Sequence, residues 1–279
     1  MGRIKIKIDK EKLLELYSNK NLSTKKIAGI FKCSWATVMN RIIELGIPKK
    51  TPAAARMRYA KFDFTGSDTD KAYMIGFRVG DLNVYRVSEK SETVVVRCHT
   101  TQIEQVDVIK TLFSKFGRVD DSVRPNGHYY MNCFLNNSFK FLLSKDKSVW
   151  AWIQEPETRF AFVAGYTDAE GNFIINQDRA RFKIDSYDKD VLDTIAEWLK
   201  DAGVSYKMRL IFEKGEKQKI YGKIGIYHGN LWRLNINYAG DLKKFTLLVG
   251  PFIRHSQRLH DMKLCIKNIE KRIKNGTVK

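Results

Sequence analysis

The chain has 279 residues, room for about two domains, and its 43% hydrophobic and 12% aromatic content excludes a disordered chain. Lys and Arg number 50 against 31 acids, a net charge of +19, interleaved with apolar residues rather than crowded into a low-complexity run. That pattern points to a polyanion partner, in the first place nucleic acid, and away from a membrane: no apolar run approaches the ~20 residues of a span.

The start, Met1–Lys10, alternates Ile and Lys and lacks the apolar stretch of a secretory signal. Cys33, Cys98, Cys133 and Cys265 form no CxxC pair, and the five histidines fall into no metal-ligand spacing, so neither disulfides nor structural zinc are expected. A cytoplasmic or nucleoid location follows as the expectation, an organelle not being excluded.

Charge is uneven along the chain. Residues 1–61 hold 15 Lys/Arg and 4 Asp/Glu, whereas the rest hold 35 and 27. In the basic part, three helices are expected: Lys10–Tyr17, a second capped by Ser23 or Thr24, and a third capped by Ser34 and ended by Gly46. The second and third are joined by a tight turn at Lys32–Cys33, which is helix-turn-helix spacing. Ala28 is small where these helices would cross, and Val38 packs inside. The outward face of the third helix is Ser34, Trp35, Thr37, Asn40 and Arg41, a set able to read base edges in the major groove; a trihelical bundle binding only protein is the competing reading. Pro48 and Pro52 in IPKKTP cannot continue a helix, so residues 1–50 read as the helix-turn-helix unit and 51–66 as a linker.

The informative signal follows. Ala72–Val84, AYMIGFRVGDLNV, matches Ala161–Phe173, AFVAGYTDAEGNF, with Gly76 and Gly165 in the same place. Four positions on come Gly80 and Ala169, then the acids Asp81 and Glu170, then Asn83 and Asn172. Small residues at i and i+4 share one helix face and let two helix backbones approach closely. If the two copies pack together, the acids emerge side by side, and two neighbouring carboxylates repel unless a cation lies between them. Oxygen ligands and a phosphate substrate favour Mg2+, and on a basic protein that pair implies phosphodiester hydrolysis. Either segment alone reads more readily as an ordinary amphipathic helix ending in an acid; it is the repetition in register that argues for a duplicated domain.

Both copies continue alike. Asn83–Ser88 and Thr93–His99 alternate, then Gln102–Phe116 is helical; Asn172–Arg179 and Arg181–Ser186 alternate, then Asp188–Asp201 is helical. Aligning the helices sets Arg97 opposite Lys183. Later strands leave Lys207, Arg209 and Ile211, and Arg233, Asn235 and Asn237, on the outward side. Arg86, Arg97, Lys183, Arg209, Arg233 and Asn235 are therefore the expected nucleic-acid contacts of a face rich in donors. A solvated charged face is the competing reading of any single strand.

These residues resemble the LAGLIDADG homing endonucleases. Phe162–Phe173, FVAGYTDAEGNF, is close to that family's motif, and Asp168, Ala169, Glu170 and Gly171 match its end; Met74–Val84 matches less well. The resemblance covers about 67–275, with lobes at 67–150 and 151–279. It implies an α+β fold in which an αββαββα unit occurs twice, as a saddle of two antiparallel sheets on double-stranded DNA with the motif helices at a pseudo-twofold interface. It also implies Mg2+-dependent double-strand cleavage by a monomer, with one metal-ligating acid per motif, here Asp81 and Glu170. The family's first motif acid falls on Val79 and its terminal glycine on Leu82. Basic groups near the scissile phosphates are implied too, for which Arg97, Lys183, Lys147, Arg254 and Arg258 are candidates. The helix-turn-helix would extend the footprint or bind an operator. The expected function is a site-specific, intron-encoded DNA endonuclease. The alternatives are a non-cleaving DNA-binding regulator and, third, an RNA maturase acting on its own intron RNA.

Overall fold

The computed structural model describes residues 8–20, 22–50, 59–220 and 223–277; Met1–Lys7, the alternating start, and residues 51–58 of the linker lie outside them. At the N-terminus, the Asp9 carboxylate accepts from Lys12 N at 2.8 Å and starts helix α1 (Lys10–Leu14), which runs on as a π-helical turn over Glu15–Asn19. Ser23 and Ser34 cap α2 (Thr24–Ile30) and α3 (Trp35–Glu44), satisfying N–H groups that have no partner within the helix. The turn between them passes through Lys32 in the left-handed region, φ 49°. Leu13, Tyr17, Ile27, Ala28, Val38 and Ile42 close a small core of their own. The expected three helices are present, with a π turn in the first that periodicity did not reveal.

The linker divides. Phe62 N donates to Phe116 O at 2.9 Å, Phe64 N donates to Ser138 Oγ at 2.8 Å, and the Phe64 ring packs against Phe116, Phe139 and Phe141. An aromatic side chain with three aromatic neighbours gains too much by burial to remain solvated, so residues 62–64 dock on the first lobe.

That lobe starts with α4 (Asp68–Gly80), nucleated by a capping box in which Ser67 and Asp70 satisfy each other's backbone N–H. It continues with β1 (Asn83–Arg86), β2 (Val94–Thr100), α5 (Ile103–Phe113), β3 (Arg118–Val123) and β4 (Tyr129–Leu135), whose antiparallel sheet runs β1-β2-β4-β3. The second lobe repeats this with α6 (Pro156–Glu170), β5 (Gly171–Asn176), β6 (Arg179–Ser186), α7 (Lys189–Asp201) and β7 (Lys207–Phe212). Between β7 and the next main strand an extra hairpin is inserted, β8 (Lys217–Ile220) and β9 (Lys223–Ile226). Then follow β10 (Leu231–Ile236), α8 (Ala239–Val249) and α9 (Ser256–Lys274), and the sheet order is β5-β6-β10-β7.

The repeat is exact in small things. Gln102 N donates to Thr100 Oγ1 at 3.0 Å, and Asp188 N donates to Ser186 Oγ at 3.0 Å, so both strand-to-helix turns close on a hydroxyl two residues back. The lobes part at their ends. Where the second has α8 and α9, the first has two 3-10 turns, Asn137–Leu142 and Lys147–Val149, in place of the expected closing α-helix. Phe139 and Leu142, three residues apart, point the same way in a 3-10 turn and are both buried there.

Candidate nucleic-acid interface and carboxylate pair

Gly76 and Gly165 are what allow α4 and α6 to touch backbone to backbone. A Cβ on Gly76 would strike the Phe162 carbonyl, one on Gly165 would strike the Tyr73 carbonyl, and one on Gly80 would strike the Ala169 methyl. The four small positions predicted to pack, Gly76, Gly80, Gly165 and Ala169, are thus at the crossing of the two helices.

The acids stand at the shared end. Asp81 is the C-cap of α4, its N–H on Phe77 O at 3.1 Å, and Glu170 is the last residue of α6. Glu170 Oε1 lies 3.7 Å from where a Cβ of Gly80 would stand, one residue from Asp81. Burial pushes the Glu170 carboxyl up to about 7, and the charges of Asp81 and then Asp188 add to it, against the pull of Lys145 and Arg258. Burial raises Asp81 as well, opposed by the Gln105 amide that donates to its Oδ2 and by Arg258 and Lys145. Both carboxylates therefore share one electrostatic environment, in which burial outweighs the pull of Lys145 and Arg258.

The donor chemistry fits a divalent hard cation. Two carboxylates supply oxygen, and among the described residues no cluster of three or more His, Cys, Asp or Glu exists to complete an all-protein cage. Mg2+ at phosphate sites is held in just this way, by one or two carboxylates with water and phosphate oxygens filling the rest.

Asp168 and Val79 occupy equivalent places and behave differently. Asp168 is buried, and its Oδ2 accepts from Tyr73 OH at 2.6 Å, Arg254 N at 2.7 Å and His255 N at 3.0 Å, tying α6 to α4 and to the start of α9. Burial lifts its pKa to about 6 in spite of these three donors. Val79 is buried by apolar contact, and the Lys145 ammonium donates to its carbonyl at 2.7 Å.

Among the auxiliary bases, the structure reorders the expectations. Arg254 is taken up by Asp70 and lies 4.4 Å over the Tyr73 ring, so its guanidinium braces α4 instead of facing the carboxylates. Arg258 is half-buried and its charge reaches both acids. Lys147 is exposed and lines a cleft of about 400 Å³ together with Lys145, Tyr187, Asp188 and Lys189. Lys145 and Gln105 are the residues that sequence reasoning missed. Lys145 lies two positions before Lys147 without a pattern to distinguish it, and Gln105 stood in the predicted helix as an ordinary polar residue.

On the sheets, the predicted alignment of Arg97 with Lys183 appears as strand register. Arg97 faces Asn83 and Asn132 on its neighbours, while Lys183 faces Asn172 and Asn235. Arg97 Nε donates to Asn132 Oδ1 at 3.0 Å and its terminal nitrogen to Tyr85 OH at 2.7 Å. Arg233 holds Asp185 through both carboxylate oxygens, and Arg209 is exposed on β7 opposite Arg233. Arg86 departs from the expectation. Strand alternation puts it on the face of Val84, away from Asn83 and Tyr85, and it donates to Asn137 Oδ1 in the 3-10 turn.

In α3, Trp35 and Asn40 are exposed. The other three have internal partners: Ser34 Oγ accepts from Thr37 N at 3.1 Å and lies 2.9 Å from Thr37 Oγ1, while Arg41 pairs with Glu44 at 3.0 Å and donates to Ile8 O. No helix among the described residues is long and apolar enough to cross a membrane.

Residues 157–250, which span α6 to the end of α8, match the family described as a LAGLIDADG-like domain. The uncharacterized protein MJ0398 of Methanocaldococcus jannaschii is 24% identical over 204 residues, covering 71% of this chain and 72% of that protein. Among solved structures, the chain resembles the homing endonuclease I-DmoI in complex with DNA and Mn, with 16% identity, TM-score 0.46, and coverage of 65% and 96% of the two chains. It also resembles the N-terminal LAGLIDADG domain of DUF199/WhiA, with 14% identity, TM-score 0.40, and coverage of 66% and 83%.

Proposed function

We propose that this chain is a site-specific endonuclease of double-stranded DNA, with Asp81 and Glu170 holding a divalent cation against the phosphodiester that is cut. The observation that carries this reading is the carboxylate pair itself, with Glu170 pushed up to about 7 by burial and by Asp81. Placing two like charges together at the end of a helix crossing is unfavourable in itself, and such arrangements concentrate at functional sites. When bound, the metal supplies Lewis acidity and a more acidic water. The chain's own residues do the rest. Gln105 fixes the orientation of Asp81, Lys145 and Arg258 bring positive charge to where phosphate charge builds up, and Lys183, Arg209 and Asn235 hold the backbone and base edges on the second sheet. The helical unit of residues 1–50 adds Trp35 and Asn40 as a second contact with the duplex.

A second reading, a DNA-binding regulator that does not cut, is favoured by Lys145 and Arg258, which already supply two cations beside the two acids. The experiment that decides is cleavage of a supercoiled plasmid library with Mg2+, alongside Asp81→Asn and Glu170→Gln. Loss of cutting by at least about 100-fold in both variants, with DNA binding retained, is the expected result. Cutting at the parental rate by either variant overturns the metal assignment, and sequence-specific binding by a wild type that never cuts leaves the regulator.

A further inference from the structure

Arg78 lies inside α4 at 6% exposure, and among the described residues its guanidinium meets no carboxylate. Its Nε donates to Leu142 O at 2.8 Å, and a terminal nitrogen donates to the carbonyl of Leu82, the residue after Asp81. A buried guanidinium with only neutral partners carries a large desolvation cost, which an aliphatic side chain at the same place would not. The matching position of α6 holds Thr167, one residue before Asp168. Departures of this kind gather where a site is served.

What the guanidinium holds is the approach of a second cation. Leu142 ends the first 3-10 turn of the first lobe, and three residues on stands Lys145, whose ammonium donates back to Val79 O at 2.7 Å. A cation of α4 thus grips the segment, and a cation of the segment grips α4. Burial and then the charge of Arg78 hold the Lys145 ammonium below its ordinary range, while Asp188, Glu170 and Asp81 draw it up, so Lys145 feels both Arg78 and the carboxylate pair.

The second lobe meets the same need with the opposite charge. Asp168 Oδ2 accepts from Arg254 N at 2.7 Å and from His255 N at 3.0 Å. Three residues beyond His255 stands Arg258, whose charge reaches Asp81 and Glu170. In each lobe a buried charged side chain of the motif helix grips main chain three residues ahead of the cation that serves the acids. An anion grips N–H groups in one. In the other, where Val79 stands opposite Asp168, the neighbouring residue is a cation and grips carbonyls.

Resting on the nuclease reading above, we infer that Arg78 is a positioning residue: it latches the Leu142–Lys145 segment to α4 and so fixes the Lys145 ammonium beside Asp81 and Glu170, as Asp168 does for Arg258.

The test uses the full chain, well below its melting temperature, and the variant Arg78→Met. Amide exchange is expected to quicken about tenfold over residues 142–150 and to stay unchanged over 255–259, with Asp168→Ala doing the reverse. Single-turnover cleavage with Mg2+ is expected to slow about tenfold. Lys145→Met, costly in the wild type, is expected to cost less than about twofold in the Arg78→Met background, whereas Arg258→Met keeps its full cost in both. A merely structural arginine lowers the melting temperature and leaves the Lys145→Met cost undiminished, and that result overturns the latch. So does unchanged exchange over 142–150 in a chain that cuts. If Arg78→Met does not fold, Arg78→Lys decides by the same measurements, since one ammonium cannot hold both carbonyls as the guanidinium fork does: faster exchange over 142–150 with a reduced Lys145→Met cost is expected, and wild-type values for both overturn the latch. A wild type that never cuts overturns the nuclease reading and the positioning role with it.

Discussion

The two lobes keep one strand register and lay different chemistry on it. In each, an Asn of the first strand faces a cation of the second, and that cation faces an Asn of the third: Asn83, Arg97 and Asn132 in one, Asn172, Lys183 and Asn235 in the other. Around the first row lie Tyr85, His99 and Tyr130, with the His99 and Tyr130 rings 4.1 Å apart, and Arg97 is engaged with Asn132 and Tyr85. Around the second row lie Arg179, Arg181, Lys207 and Arg209, and the acid nearest Lys183 is Asp185 at 3.8 Å. A duplicated fold thus holds its geometry where the helices touch, at Gly76 and Gly165, and can leave the two faces to diverge, one toward apolar and aromatic surface, the other toward charge.

The widest gap between the halves is expected at Asp168 and Val79. Asp168→Ala strands three donors, two of them backbone N–H groups, and is expected to cost about 4 kcal/mol in urea unfolding. Val79→Ala removes only two methyl groups and is expected to cost about 2 kcal/mol. Equal losses break the comparison at the motif ends.

The faces come next. Lys183→Ala is expected to flatten the log–log salt slope of DNA binding by about 1, and Arg97→Ala by less than half as much, because Arg97 is already partnered within the first sheet. The reverse order means that the lobes share the phosphate contacts differently.

The smallest effect concerns the acids. Glu170 rises from 4.5 to about 7 in the folded chain, so folding takes up a proton over that interval. The stability that goes with protonation is full below about 4.5 and is lost as pH rises through about 7. In EDTA, Glu170→Gln is therefore expected to melt above wild type at pH 8, with the gap closing by pH 5. Asp81→Asn is expected to show a smaller gap, since the Gln105 amide and Arg258 work against the rise of Asp81. Thermal melts across pH 5–8 check both, and a larger gap for Asp81→Asn would reverse the ranking of the two carboxyls.

What was legible in the chain was local or repeated. The caps at Ser23 and Ser34, the small residues of α4 and α6, and the register of Arg97 with Lys183 all follow from spacing, because helices and strands convert spacing into direction. The contacts that spacing cannot express were the ones missed. Arg254 reaches Asp70 across 184 positions, Lys145 meets the Val79 carbonyl across 66, and Gln105 meets Asp81 from another helix. A free-standing arginine near the site looks the same in sequence whether it braces a helix or faces a phosphate. The β8–β9 hairpin is an insertion that the repeat cannot announce, and the docking of Phe64 was hidden because a linker and a tethered strap share the same composition until a pocket of aromatic rings is there to receive it.

The small cluster around Ile27 and Val38 shares no residue with the larger cluster that includes Phe64 and Tyr73. Among the described residues no buried hydrophobic side chain belongs to both, so heat or denaturant is expected to act on two cooperative units. For an evolving gene this separates the two cores: the side chains that close the small one can be replaced without those of the larger one having to be refitted.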